Sequence, residues 1–456
     1  MRISLAFVLF LGSLLAAPGS FAQAPASQSP QAPPMQTPQP PPAASQPPQA
    51  AAQTLTLQQA RQLAIQNHPR IQVATYLASA AKEQIIEEKS AYYPKVFGSI
   101  TGVDSENNSR ITAGALNNPI IYEREGNGLE VNQLITDFGR THELVKSASY
   151  HAKAEAENVV TTRADVLLAV DEAYYSVQKA QAVLVVAQET VKDRQLVSDQ
   201  VTALMQNKIK SGLDVSFANV DLAQAQLLLI QAQNDVDASF AQLAAALGYS
   251  DERTFQLAEE PLPAAPPPDI NQLIQAAMSD RPELIGERLN VDSARSYATA
   301  ERDLWFPTLS AAGVAGVTPE GADQLAPRYA AAGFNLNIPI FNGRLFNALH
   351  SEATNRARAE DQSLRDLQDR IARDVRTAWL NANSAYQRLA VTDQLLAQAN
   401  QALDLASSRY KLGLSSIIEL SQAQLNQTQA QIEQTSAKYD YQTELSLLNY
   451  QIGALQ

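Results

Sequence analysis

Apolar positions along this chain recur mostly at helical spacing, and the pattern switches to strict alternation in two stretches. Val166, Val170, Ala173, Val177, Ala180, Leu184, Ala187 and Val191 are separated by alternating steps of four and three. Moved along by 205 positions, the same steps fall on Ile371, Val375, Ala378, Ala382, Ala385, Leu389, Thr392 and Leu396, with Thr392 the one polar member. Such a stripe predicts long helices packed along a coiled-coil-like seam, and its many alanines let helix axes approach closely. From Arg140 to about Lys208 there is neither proline nor glycine, which allows about 100 Å of helix at 1.5 Å per residue. Arg344 to Leu412 offers a similar length. Shorter helices are expected from about Leu55 to Tyr92 and from about Asp214 to Leu247. Laid end to end, these match one long helix, so the chain builds a wall of uniform height rather than a compact domain.

The alternating stretches are "GLEVNQLITDFGR" and "GFNLNIPIFNGR". In the first, Leu129 and Val131 alternate with Glu130 and Asn132; in the second, Phe334, Leu336 and Ile338 alternate with Asn335, Asn337 and Pro339. A period of two marks a strand with one apolar face. Each stretch ends in Gly-Arg and runs into helical sequence, so Gly139 and Gly343 are read as strand-to-helix turns. Two partner strands are expected to start at Pro94 and Pro307, a position where strands tolerate proline.

These elements occur twice in the same order. Pro69 and Pro94 match Pro282 and Pro307 at a spacing of 213, whereas Gly139, Asp214 and Gly248 match Gly343, Glu419 and Gly453 at 204 to 205. The difference falls between the Pro and Gly-Arg marks, where a surface loop absorbs it. The boundaries follow: a leader at 1–22, a tether at 23–53, a first repeat at 54–250, a linker at 251–268 and a second repeat at 269–456.

Composition narrows what these repeats do. Arg2, an apolar run from Ile3 to Ala17 and the small residues Ser20 and Ala22 form a secretory signal. The tether is Pro, Gln and Ala, which cannot bury a core. With no cysteine, disulfides, thiolate metal sites and cysteine nucleophiles are excluded. A net charge of −13 argues against nucleic acid. No apolar run of spanning length is expected past the leader. A secreted chain of this kind crosses a bilayer only as a closed β-barrel. Strands of about ten residues are long enough when tilted, but four cannot close a barrel, so several copies must combine. The alternative is a pair of solvent-exposed hairpins capping a bundle.

The duplicated layout, the "PIFNGR" strand end and "RYKLGLSSIIELSQAQ" from Arg409 resemble the TolC-type outer membrane efflux proteins, over essentially all of Leu55 to Leu455. The resemblance implies a mostly α fold with a small β part. Duplicated coiled-coil-like helices would form an α-barrel tunnel, and four strands per chain would join a trimeric transmembrane β-barrel in outer membrane lipid. It also implies a homotrimer that meets a periplasmic adaptor and an inner-membrane pump. On the family's pattern the pore constriction falls on Glu419 and Gln422, the latter replacing an acidic residue. Closed-state links fall on Asp214, Tyr410 and Ser415, and Ser415 stands where the family has arginine. Read without the family, Glu419 is a solvated helix-start carboxylate and Asp214 a cap after Gly212 and Leu213.

No catalytic constellation accompanies this layout, and no cofactor is expected. His68, His142, His151 and His350 are not spaced as metal ligands. The competing function is a periplasmic coiled-coil structural or adaptor protein, which would show one helical hairpin flanked by β-rich domains instead of two hairpin sets.

Overall fold

The computed structural model describes residues 54–106, 121–251, 253–321 and 323–455. The expected leader and tether lie outside them. The first half runs β1 (Thr54–Leu55), α1 (Leu57–Asn67), α2 (Pro69–Lys89), β2 (Lys95–Val103), β3 (Arg124–Thr136), α3 (Arg140–Gln206) and α4 (Gly212–Ala246). The second repeats that order as β4 (Gln256–Leu257), α5 (Ile270–Asp280), α6 (Pro282–Arg302), β5 (Thr308–Gly321), β6 (Arg328–Asn337), α7 (Leu345–Lys411) and α8 (Ile417–Gln451). Helices α3 and α7 hold 67 residues each, about 100 Å of continuous helix.

The single helix expected from Leu55 to Tyr92 is two helices. Pro69 has no N–H and disfavours helical geometry at the residue before it. His68 is therefore extended, and its Nδ1 accepts from the Arg70 amide at 3.2 Å to start α2. Thr56 and Gln59 start α1 with a reciprocal capping box. The same break recurs at Arg281 and Pro282. Against these breaks dock the ends of α4 and α8, at Gly248 (φ +82°) and Gly453 (φ +78°). A Cβ on Gly248 would stand 3.0 Å from the Asn67 and His68 backbone, and one on Gly453 3.1 Å from Asp280. Handedness and close approach both require glycine there.

The heptad stripe is the core. Val166, Val170 and Val177 pack with Tyr174, Leu243 and Leu247, while Ile371, Val375, Ala378 and Ala382 pack with Leu284 and Leu448. Thr392 is buried and turns its hydroxyl onto the Arg388 carbonyl at 2.9 Å, which satisfies it inside the helix. Helix α4 departs from expectation. It is apolar and long enough to meet the length and composition of a membrane span, yet only 11% of its apolar window is buried. Leu213, Val220 and Leu227 stand exposed along it at seven-residue intervals.

The segment after α4 is a strap laid across three helices. β4 pairs in parallel with β1. Tyr174 Oη lies 2.6 Å from the Ala258 carbonyl and Gln178 Nε2 donates to the same oxygen at 2.6 Å. Trp379 Nε1 donates to the Pro267 carbonyl at 2.7 Å, and the Tyr441 hydroxyl bonds that of Ala264. A proline-rich segment offers carbonyls without matching N–H groups, and the helices supply the donors.

The four longer strands form one antiparallel sheet in the order β2-β3-β5-β6. Pro94 and Pro307 each immediately precede a strand. The register places Val96 opposite Val131, Val131 opposite Gly313, Ala311 opposite Phe334 and Leu309 opposite Leu336. Directly opposed residues share a face, so one face carries Val96, Ile100, Leu129, Val131, Phe334 and Leu336. The other carries Lys95, Ser99, Glu130, Asn132, Asn335 and Asn337, with Phe97 opposite Glu130 as an exposed aromatic among them. The apolar side chains are exposed, Ile100 by 83% and Phe334 by 80%. Ile338 falls one residue beyond β6. β2 and β6 are unpaired edges.

At the sheet's base the chain turns into the long helices through Phe138 and Gly139 (φ +56° and +114°) and through Gly343 and Arg344 (φ +64° and +69°). The first turn is fastened by Asp137, whose Oδ2 accepts from the Thr141 amide at 2.7 Å. In the second, both side-chain polar atoms of Asn342 are buried without a partner.

Candidate functional site

At the end of the long helices remote from the sheet, two turns share one hydrogen-bond pattern. Lys208 N donates to Met205 O at 2.8 Å and Ile209 N to Leu204 O at 2.9 Å; Gly413 N donates to Tyr410 O at 3.1 Å and Leu414 N to Arg409 O at 2.8 Å. Each closes the free carbonyls of a helix end through a left-handed residue. That residue is Lys208 (φ +61°) in the first turn and Gly413 (φ +72°) in the second. The 205-residue spacing that relates the halves pairs Gly413 with Lys208, and Gly212 is the first residue of α4.

Asp214 begins α4 in a capping box. Its Oδ2 accepts from the Ser211 hydroxyl at 2.7 Å and the Ser211 amide at 2.9 Å. The Ser211 hydroxyl, with smaller help from its amide and Lys210, holds the Asp214 carboxyl below the usual range. Tyr410 ends the α7 seam. It packs with Val201 and Ala218 from the first half and with Ile417 and Leu420 from the second. Lys210 Nζ sits 3.8 Å from its ring centre. Burial, then the Asp214 charge, pushes its phenol up. Among the described residues the Tyr410 hydroxyl has no hydrogen-bond partner, and neither does the buried Ser415 hydroxyl. Glu419 Oε1 pairs with Arg409 Nε at 3.1 Å. The exposed Gln422 amide donates to Asn426 at 2.9 Å. Tyr410 thus brings the two halves together, while Glu419 and Gln422 are satisfied within the second half.

Just above the tips lies a polar layer that inspection of the sequence missed. Arg194 is 7% exposed, and its Nη2 donates to Thr428 at 3.1 Å. Burial pushes its guanidinium pKa down. The Ser421 hydroxyl donates to Asp221 at 2.5 Å, and that of Ser198 to Asn219 at 2.7 Å. Two of these bonds join opposite halves. The signal was present: continuing the four-three steps past Val191 lands on Arg194 and Ser198, where the second half has Ala399 and Leu403.

Residues 60–249 and 273–454 match the family described as outer membrane efflux protein. The chain belongs to that family. As an outer membrane efflux protein it is 23% identical to outer membrane protein TolC of Salmonella enteritidis over 420 residues, 88% of this chain and 82% of that one. It is 24% identical over 399 residues to outer membrane efflux protein BepC of Brucella suis, covering 84% of this chain and 82% of that one. Its fold superposes on the outer membrane protein VceC of Vibrio cholerae with a TM-score of 0.74 at 16% identity, covering 87% of this chain and 96% of that one. Membership makes the chain an outer membrane channel protein of efflux or export, and not an enzyme. Among the described residues no group of three His, Asp or Glu side chains could hold a metal ion.

Proposed function

We propose that three copies of this chain form a passive exit duct. Three four-stranded sheets close one β-barrel in the outer membrane, and the helices continue it as an α-barrel tunnel through the periplasm. The observation that carries this reading is continuity. A sheet with two unpaired edges and one exposed apolar face runs through Gly139 and Gly343 into helices about 100 Å long. Open edges in an apolar sheet need partners, and three copies supply them. The exposed ridge of Leu213, Val220 and Leu227 supports the same assembly, since heptad spacing suits a neighbouring helix.

In this reading the 54–250 and 269–456 repeats each give one strand pair and one helical hairpin, and 251–268 girdles them. The tips, closed by packing around Tyr410 and narrowed at Glu419 and Gln422, face a periplasmic adaptor and an inner-membrane pump of a tripartite efflux or type I secretion system. The test is assembly and conductance together. Light scattering of the purified protein should give three times the chain mass, and the same sample should open stepwise in a planar bilayer. A monomer, or a trimer without conductance, overturns the duct.

A further inference from the structure

A cavity of about 450 Å³ opens midway along the wall, where α3, α7 and α8 meet. It lies on the side away from the strap. On α3, Tyr174 and Gln178 bond the strap, whereas Glu172 and Lys179 line the cavity. On α8 the division is Tyr441 and Gln442 against Asp440 and Glu444, and on α7 it is Trp379 against Asn381 and Arg388.

The charges in this cavity do not balance locally. Lys179 Nζ lies 2.7 Å from Asp440 Oδ1. Arg388 reaches Asp440 at 3.8 Å and Glu433 at 3.7 Å. Asp171, next to Glu172, is held from the strap side by Arg61. Both cavity cations are therefore engaged, and among the described residues Glu172 and Glu444 have no ion pair. Asn381 hydrogen-bonds the Glu444 carboxylate, but its Oε2 is buried with no partner. Burial raises both carboxyl pKa values. For Glu172, Asp171 and Glu444 add to the rise; for Glu444, Asn381 opposes it and Asp440 adds to it. Buried tyrosines, Tyr175 and Tyr439, complete the wall.

We infer that this cavity binds a small organic cation, its ammonium or guanidinium group between Glu172 and Glu444 and its apolar part against Tyr175 and Tyr439. Two uncompensated carboxylates supply the charge that a cation neutralises, and the aromatic rings favour a cation with an apolar surface. A metal ion fits poorly, because among the described residues no group of three His, Asp or Glu side chains could hold one. The site stands on the geometry of one chain. Only its position on the inner wall of the duct rests on the proposed function.

The probe is benzyltrimethylammonium, titrated calorimetrically into the purified full-length protein, with benzenesulfonate as the anionic counterpart. One cation per chain should bind and benzenesulfonate should not. Glu444→Gln, which removes the partly buried carboxylate, should weaken binding at least about tenfold, and Glu172→Gln, at the exposed rim, by several-fold, as for a solvated charge partner. Binding should also fade as the pH is lowered toward the carboxylate range, where Glu172 and Glu444, which share the cavity with Lys179, Arg388 and Asp440, protonate. Glu444→Asp, which keeps the charge, should retain measurable affinity and so separates charge loss from misfolding. Equal affinity in the parent and both glutamine variants, or binding of the anion instead, overturns the site. Current block by the cation in planar bilayers tests the inner wall separately: binding without block retains the site and removes it from the duct.

Discussion

Arg409 Nε lies 3.1 Å from Glu419 Oε1, across the turn that joins α7 to α8. The carboxylate expected to ring the aperture is thus countered by its own chain. Both side chains are about half exposed, and such pairs are worth at most about 1 kcal/mol. In the proposed duct, breaking this one changes the field at the constriction more than the stability of the fold. Arg409→Gln should raise cation selectivity and strengthen block by multivalent cations. Glu419→Gln should leave Arg409 unopposed and move selectivity toward anions, and the double variant should fall near the parent. Reversal potentials across a salt gradient decide it. Identical potentials in all four proteins would remove Glu419 from the constriction.

If Tyr410 closes the tip, as proposed, it does so by packing, since among the described residues its buried hydroxyl has no hydrogen-bond partner. Tyr410→Phe should therefore change stability by less than about 1 kcal/mol and leave single-channel conductance as in the parent. Tyr410→Ala empties the space between Val201, Ala218, Ile417 and Leu420 and should cost about 3 kcal/mol while raising conductance. A rise in conductance with Tyr410→Phe would show that the hydroxyl holds a link after all.

The Ser211–Asp214 cap gives the tip an acid limit. A carboxyl with a depressed folded pKa stabilises the fold fully above its unfolded value, near 3.8. That contribution is lost as pH falls through the lower folded value. The stability gap between the parent and Asp214→Asn should stay constant from neutral pH down to about 3.8, shrink below it and be lost once the pH has fallen through the folded value. Urea midpoints across pH test this, and a gap that varies around neutrality would point to another group.

Most of the long-range plan was legible because it rests on period and repetition. The four-three steps from Val166 and the alternation at Leu129 and Phe334 each report a buried or apolar face directly, and the 205-residue spacing shows that the plan occurs twice. What escaped depends on contacts distant in sequence. Apolar spacing continues across Pro69 and so predicts one helix from Leu55 to Tyr92, although the proline fixes a break. The strap at 251–268 reads as linker because its bonds are made by Tyr174, Trp379 and Tyr441, far away in the chain. Arg194 continues the four-three stripe but is charged, so residue type alone does not mark it as buried. The ion pair of Arg409 with Glu419 depends on how a turn folds back, which residue types do not reveal.

The docking of helix ends on helix breaks makes Gly248 and Gly453 sensitive positions. Alanine at either must adopt a left-handed conformation, which costs about 1–2 kcal/mol, and its Cβ would press on backbone 3.0 to 3.1 Å away. Gly212 is the control: nothing lies within 4 Å of an added Cβ there, and it sits at a helix start. Gly212→Ala should be neutral or stabilising by about 0.5 kcal/mol. Denaturation midpoints should therefore fall for the first two variants and hold for the third. Equal midpoints for all three would mean that α4 and α8 do not end on these contacts in the assembled protein.

The sheet supplies the sharpest test of membrane insertion, because adjacent residues of β6 face opposite ways. Leu336 lies opposite Leu309, on the face that carries Phe334 and Val131, while Asn335 lies opposite Ser310 on the polar face. If the apolar face meets lipid, an arginine there must be buried in hydrocarbon, at a cost of about 2–4 kcal/mol near the midplane. The same arginine one residue earlier points into a polar lumen, where it stays hydrated. Leu336→Arg should sharply reduce the yield of folded protein recovered from the outer membrane, and Asn335→Arg should leave it near the parent value. A solvent-exposed hairpin gives the contrary result, with both variants recovered alike, because water surrounds both faces. Reversed sensitivity would place the polar face outward and invert the sheet, a result incompatible with three such sheets closing a barrel in lipid.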